Sequence, residues 1–579
     1  MAAGARDFWD EVRADVVGPH ASIATPFGAR ELTYSDFTAS GRGVGFIERY
    51  MRRVLELYGN THTEDDATGR VTTERLHAAE RTIKRILGAT GEYRLIEVGS
   101  GTTGAVHRLQ QILGIYLPPA AKATFASQLR AALGEEEAAR LVRTLEAQRP
   151  VVFVGPYEHH SNEVSWRECW ADVVEIGLGD DGLLDLDDLV RRLADPAYAG
   201  RRKIGAFSAA SNVSGVKTRV YEVARILHEH DALAFFDFAA IAPYVRIDVH
   251  RDELAYFDAI YFSPHKFLGG PGSSGLLLIH EAIYRADLPP TVGAGGTVNF
   301  VDFTGQDYSD DIEVREKPGT PGILQILRAS LAMELLEKMD PDRISLREDE
   351  LVGRAIERLD HPSIEILGPL DPAQRIAIIS FNVREASSYL HPRFVTLLLN
   401  DLFGIQSRAG CSCAGPYGHR MLHLDEAMSA ALRERIHRGV LGLRPGWVRV
   451  NFHFLMSDEE ADFIIDAIRF VADRGRSFLP LYTFDVRTGA WRFRGGPAEP
   501  TSSGSTGDRA SETASSGAGF GLAEALAMRA GQPADAGPLR AAPGEEAARP
   551  RRVDEAASIA RRRAYLDEAK RPADEIEST

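Results

Sequence analysis

Residues 31–330 read as an α/β domain with a mostly parallel sheet, flanked by helices and followed by a smaller α+β domain. Three observations predict this. Short apolar runs recur at Leu95–Val98, Val151–Val154, Ile204–Ser208, Ala234–Asp237, Ala259–Phe262 and Gly275–Ile279. Helical stretches such as Val220–Glu229 lie between most of them. Residues able to carry chemistry fall just after several of these runs, where open α/β sheets place their ligands.

The elements follow in chain order. Residues 1–30 contain a leading helix, Phe8–Val17, and a connector expected to pack with the smaller domain. Residues 31–330 form the large domain. Within it, residues 119–148 are rich in Ala, Glu, Leu and Arg and predict an inserted helical pair or one extended helix. Residues 331–475 form the small domain, with strands at Arg375–Phe381 and Trp447–Phe452. Residues 476–496 form an extension with a hairpin over 482–494 that turns at Thr488-Gly489. Residues 497–579 shift to Gly, Ser, Ala, Pro and Glu and predict a low-complexity, disordered tail, with a charged helix at 551–571 that stays solvated.

A chain of 579 residues, 44% hydrophobic, can bury a large core and hold more than one domain. Its net charge of −16 argues against a nucleic-acid surface, which needs a basic face. The three cysteines, Cys169, Cys411 and Cys413, are too few for a disulfide scaffold or an all-cysteine zinc site, and no metal is expected. Met1–Asp7 lacks the apolar core of a signal peptide, and no apolar run reaches membrane-span length. The expected location is the cytoplasm, with no membrane partner.

Lys266 follows Ser263-Pro264-His265 on the loop leaving the strand Ala259–Phe262. Asp237 ends the run Ala232–Asp237. A lysine there can form a Schiff base with an aldehyde cofactor, and a strand-end aspartate can pair with a pyridinium nitrogen. Together they read as a pyridoxal phosphate site. Gly99-Ser100-Gly101-Thr102-Thr103-Gly104 lies between a strand and the helical run Ala105–Leu113. Glycines and a helix start expose backbone N–H groups to a phosphate, and Thr102 and Thr103 add hydroxyls. The same segment reads equally as a tight turn. Its spacing also matches a dinucleotide fingerprint, but no acid follows between Ala105 and Gly134 to hold a ribose. His159 after Val151–Val154 offers a flat ring to stack on the cofactor, or is simply a loop histidine. Asn212 offers a hydrogen bond to the cofactor, or caps a turn.

Taken together, Gly101-Thr102-Thr103, Glu158-His159-His160-x-Asn162, Ser211-Asn212-Val213-x-Gly215, Asp237-x-Ala239, Ser263-x-His265-Lys266, Gly319-Thr320-Pro321 and Arg408-x-Gly410-x-x-Cys413-Ala414 form an ordered set. The chain resembles the class V aminotransferases of pyridoxal phosphate fold type I, and within them the group II cysteine desulfurases and selenocysteine lyases. The resemblance implies a large domain of the seven-stranded type and a homodimer with sites at the interface. It implies Lys266 as the Schiff-base lysine, Asp237 as the pyridinium partner, His159 as the catalytic ring-stacking group and Asn212 at the phenolic oxygen. It assigns the phosphate to Thr102, Ser263 and His265, and gives Thr320 to the neighbouring subunit's phosphate.

The resemblance further implies that Arg449 binds a substrate carboxylate, for which a guanidinium fork is suited, with Arg408 nearby and His62 in a segment lining the substrate entrance. Without it, Arg449 would be an ordinary strand-end arginine. Cys413 would accept sulfur from L-cysteine, giving L-alanine and an enzyme persulfide for discharge to an acceptor protein. On the residues alone it also reads as a small buried hydrophobe. The alternative activities are an aminotransferase, epimerase or lyase on another amino acid; a non-catalytic scaffold is the remaining alternative. Two departures stand out. Ala240 replaces the usual glutamine, and Cys411-Ser412 replace the usual histidine pair. The Cys411-Ser412-Cys413 pattern also resembles the desulfurase-like domain of molybdenum cofactor sulfurases, and makes Cys411 a resolving thiol, an alternative acceptor or a bystander.

Overall fold

Residues 7–89, 91–386, 388–495 and 555–577 are described by a computed structural model. The large domain carries a seven-stranded sheet in the order Tyr93–Val98, Gly275–His280, Ala259–Phe262, Ala232–Asp237, Lys203–Ser208, Val151–Val154, Asp172–Glu175. Gly275–His280 runs antiparallel to both neighbours, and the remaining pairings are parallel. Both faces are covered. Phe235, Tyr261 and Leu277 enter one apolar cluster, and their neighbours Phe236, Ile260 and Leu276 enter another. A strand buried on two sides loses polar alternation, which is why these runs were legible as continuous apolar stretches.

The edge strand Asp172–Glu175 was not anticipated. It is half-buried and bounded by acids, so its run is short and broken in sequence, and pairing with Val151–Val154 defines it. The inserted segment forms two helices, Pro119–Leu133 and Glu135–Glu146, divided at Gly134 (φ +82°). The leading helix ends at Ala14 rather than Val17. Asp15 leaves it to cap the helix Gly45–Val54, its backbone carbonyl accepting from Gly45 N (2.7 Å) and its carboxylate from Phe46 N.

The small domain has antiparallel strands in the order Ile364–Ile366, Ile378–Glu385, Trp447–Asn451, Arg408–Gly410. Helices Pro341–Arg358, Pro392–Phe403 and Asp458–Arg474 supply much of its core. The strand expected from Arg375 begins at Ile378 instead. Arg375 is buried with its guanidinium donating to the carbonyls of Pro369 (2.7 Å) and Ile378 (2.6 Å). The hairpin Tyr482–Asp485 and Ala490–Phe493 is present, turning through Gly489 (φ +72°).

The charged helix read at 551–571 spans Glu555–Glu577, and it is docked rather than solvated. Tyr565, Ala569 and Ala573 are buried in the small-domain core. The N-terminal hairpin Ser22–Thr25/Gly28–Glu31 meets it. Glu31 binds Ser558, Arg561 (2.9 Å) and His20 (2.6 Å), and Arg562 pairs with Glu460 at 2.8 Å. Sequence alone showed the charges without the buried Glu31 that gives them a partner.

This latch has a pH signature. Burial pushes the Glu31 carboxyl up, but hydrogen bonds from Ser558, His20 and Arg561 and the Arg562 charge outweigh it and hold it at about 2. A carboxyl depressed from 4.5 adds stability above its ordinary value and loses it as pH falls toward 2. Docking of 555–577 is therefore expected to weaken as pH falls from about 4.5 toward about 2. Glu31→Gln should cost about 2–3 kcal/mol at neutral pH. Faster amide exchange across 555–577 checks both; unchanged protection in the variant would contradict them.

Candidate active site

The carboxyl ends of the sheet strands, together with the small domain, enclose a cavity of about 400 Å³. Lys266 lies on a short turn after Ala259–Phe262, and Asp237 ends the adjacent parallel strand. Asp237 is buried and Lys266 half-buried, and both line the cavity. Burial drives the Lys266 amine down to about 8; Asp237 opposes the shift, and Arg449 and Arg408 add to it. Burial raises the Asp237 carboxyl to about 6 against the Ala239 N–H, which it accepts at 2.8 Å, and against Lys266.

Neutral amine is the nucleophile toward an aldehyde, so its fraction should rise about tenfold per pH unit below 8 and level off above it. Capture of pyridoxal phosphate by the apoprotein is expected to follow that curve. A rise continuing toward pH 10.5, the ordinary lysine value, would show that Lys266 is not the capturing amine.

The anion cradle is built around Gly101, which opens the helix Gly101–Ile112 at φ +60°. A Cβ there would lie 2.7 Å from Ser263 Oγ, so only glycine admits this approach. Thr102 N donates to Ser263 Oγ at 2.8 Å, and their hydroxyls also lie 2.8 Å apart. Ser100 supplies no side-chain cap, leaving other first-turn N–H groups to face the cavity. Thr103 Oγ1 bonds Ser161 Oγ at 2.7 Å, and His265 lines the same end.

His159 also lines the cavity. Its Nδ1 accepts from Ser161 N at 3.1 Å, which puts the proton of the neutral ring on Nε2. Burial, then the charges of Lys266, His160, Arg408 and Arg449, lower it to about 3. Buried Glu158 holds this loop against the strand Lys203–Ser208, accepting from Ser208 N (2.8 Å) and Asn162 Nδ2 (2.7 Å).

Asn212, Arg408 and Arg449 form the opposite wall. Arg408 and Arg449 are cross-strand partners. Arg449 donates to Asn212 O at 2.9 Å and to Asp36 Oδ1 at 2.8 Å. Sequence reading missed this pair, because nothing local links residues 413 positions apart. Ser161, Ser273 and Ser412 were also missed as lining residues. Serine carries no distinguishing pattern, and only the fold turns these three inward.

Three predicted site residues are not in this wall. His62 is exposed beside Gly296, and Thr320 accepts from Asn60 Nδ2 at 3.0 Å outside the cavity. Cys413 lies one residue beyond the lining residue Ser412. Cys411-Ser412-Cys413-Ala414 is a tight turn closed by Ala414 N to Cys411 O at 3.1 Å, with φ +49° at Ser412 and +57° at Cys413. Positive φ at both central residues is the type I′ pattern, here without glycine and therefore strained. Cys411 is exposed and Cys169 is buried away from the site.

The donor set fits pyridoxal phosphate. A half-buried amine and a buried acid converge on one cavity that also takes in the start of the helix Gly101–Ile112. Asn212 Oδ1, Ser273 Oγ and Ser412 Oγ are buried along its lining with no protein partner.

An α/β sheet carrying a lysine–aspartate pair at its strand ends defines the fold of type I pyridoxal phosphate enzymes. The class-V aminotransferase profile matches residues 137–463, and the chain belongs to that family. A probable cysteine desulfurase of Halalkalibacterium halodurans is 27% identical over 390 residues, covering 66% of this chain and 84% of that protein. A probable cysteine desulfurase of Staphylococcus aureus is 25% identical, covering 76% and 92%. Among solved structures, a cysteine desulfurase from Thermococcus onnurineus superposes with a TM-score of 0.62 at 22% identity, covering 81% of this chain and 99% of that one. No helix among the described residues is long and apolar enough to cross a membrane.

Proposed function

We propose that the protein is a pyridoxal phosphate-dependent cysteine desulfurase, converting L-cysteine to L-alanine and leaving the sulfur as a persulfide on Cys413. The observation carrying this reading is the Lys266–Asp237 pair facing a cavity that is also lined by two arginines and abuts the cysteine turn. The relatives named as probable cysteine desulfurases support it. The cofactor, when bound, supplies an aldehyde that links to amines and a ring that takes up an electron pair from the substrate α-carbon.

The chain's own residues do the rest. Asp237 would hold the proton of the cofactor's ring nitrogen, and His159, neutral with its proton on Nε2, would stack on the ring. The Gly101–Thr103 cradle with Ser263 and His265 takes the phosphate. Lys266 would move the substrate α-proton. Arg449 would orient the substrate carboxylate, in competition with Asp36, and Asn212 would reach the cofactor's phenolic oxygen. The Cys413 thiolate would attack the substrate sulfur; the carbon–sulfur bond breaks with its electron pair left on carbon, which takes a proton from solvent, and the sulfur leaves on Cys413. Reaching that sulfur requires the Cys411–Ala414 turn to shift Cys413 toward the cavity. Stoichiometric alanine and sulfide from L-cysteine with a reducing thiol test the reading, and neither product would sink it.

A second reading, a lyase or aminotransferase on another amino acid, is favoured by one observation: Ser412 rather than Cys413 forms the wall. Keto-acid formation without sulfide would select it.

The functional unit in this proposal is a homodimer. Thr320 lies outside its own chain's cavity, and the hairpin Val298–Val301/Gln306–Tyr308 exposes Phe300, Val301 and Phe303. Light scattering at twice the 63.5 kDa chain mass is the expected result.

A further inference from the structure

A second cavity, of about 320 Å³, lies on the far side of the cysteine turn. Its apolar side comprises Leu422, Leu432, Ile436, Pro445 and the fully buried Trp447. His419, Arg433, His437 and Arg444 also line it, and no acidic residue does. Neither Arg433 nor Arg444 forms an ion pair among the described residues, in a chain of net charge −16. The buried indole N–H of Trp447 has no partner. A buried donor without an acceptor marks a place where a ligand or water completes the site.

The turn joins the two cavities. Ser412 lines the first, Cys411 and Gly415 line the second, and Cys413 directly follows Ser412 in the chain. Cys411 is exposed, and so open to a partner thiol. The second cavity has the size and apolar-with-few-polar-groups character of a small-molecule site. Its uncompensated arginines select an anion.

We propose that this cavity binds a small anionic thiol with an apolar body, and that Cys411 relays sulfur to it from Cys413. The relay rests on the desulfurase reading above. The Cys411 thiolate attacks the terminal sulfur of the Cys413 persulfide. A new sulfur–sulfur bond forms as the old one breaks, Cys413 leaves as thiolate, and the proton stays on the transferred sulfur. The bound thiolate then attacks that terminal sulfur and releases Cys411 as thiolate. Both steps are exchanges with no net oxidation, so no further reductant or oxidant enters.

The test uses the full-length holoprotein, L-cysteine, and two probes of equal shape, 4-mercaptobenzoate and its neutral methyl ester. Alkylation and peptide mapping after L-cysteine should find persulfide on Cys411 and Cys413 in the natural chain, on Cys413 alone in Cys411→Ser, and on neither in Cys413→Ser. Persulfide that never appears on Cys411 overturns the relay. In alanine formation, the anionic probe should show a KM at least about tenfold below the ester, a difference of about 1.4 kcal/mol. Arg433→Gln with Arg444→Gln should bring the two within about twofold. Equal KM values in the natural chain overturn the anion site. Calorimetric binding of 4-mercaptobenzoate to Cys413→Ser needs no turnover and separates the failures. Binding without any alanine formation removes the desulfurase reading and the relay; alanine formation without charge preference removes the cavity's role alone.

Discussion

Lys266→Ala abolishes covalent capture of pyridoxal phosphate and lowers turnover by at least about 10³-fold. The argument is one of replacement. Lys266 lines the same cavity as Asp237 with its amine held at about 8, so a sizeable fraction is neutral at physiological pH. In the proposed mechanism alanine would remove both the covalent tether and the base that moves the α-proton. The cradle of Gly101, Thr102 and Ser263 is left intact, so phosphate affinity should fall far less than turnover. Borohydride reduction and peptide mapping provide the check. The natural protein should carry the reduced adduct at Lys266 and the variant none. An adduct elsewhere, or a variant with normal turnover, would remove the basis of the mechanism.

Cys413→Ser is expected to retain the cofactor and its spectrum while lowering sulfide release from L-cysteine by at least about 10²-fold. A hydroxyl has the right shape but does not accept sulfur. Cys413 is one residue beyond the cavity wall, on a strained turn, so its substitution should leave the Lys266 environment unperturbed. Measured alanine and sulfide decide the matter. Release unchanged in Cys413→Ser but lost in Cys411→Ser would move the first acceptor to Cys411. Release unchanged in both would place the chemistry outside this turn.

The large sheet was legible because its strands are buried on two faces. Phe235-Phe236 and Ile260-Tyr261 are apolar at successive positions, and no helix of that length needs both. Asp172–Glu175 escaped notice for the opposite reason: an edge strand retains charge, and its identity comes from a neighbour. Most of the cofactor side of the site could be read from sequence, because Gly101, His159, Asn212, Asp237 and Lys266 follow strands and strand ends converge in a parallel sheet. The substrate side could not. Arg449 and Arg408 were visible as residues, but Asp36, which occupies Arg449, comes from the N-terminal segment.

Local chemistry in the chain was enough to specify the buried strands of the sheet and to place Lys266 and Asp237 at strand ends, since each depends on backbone periodicity. Folding in three dimensions decided what faces what. It turned Ser412 inward and Cys411 outward on one tight turn, set Asp36 against Arg449, and gave Glu31 to the helix Glu555–Glu577. These are pairings between distant segments, governed by burial and by the need of buried charges for partners, and no periodicity along a chain encodes them.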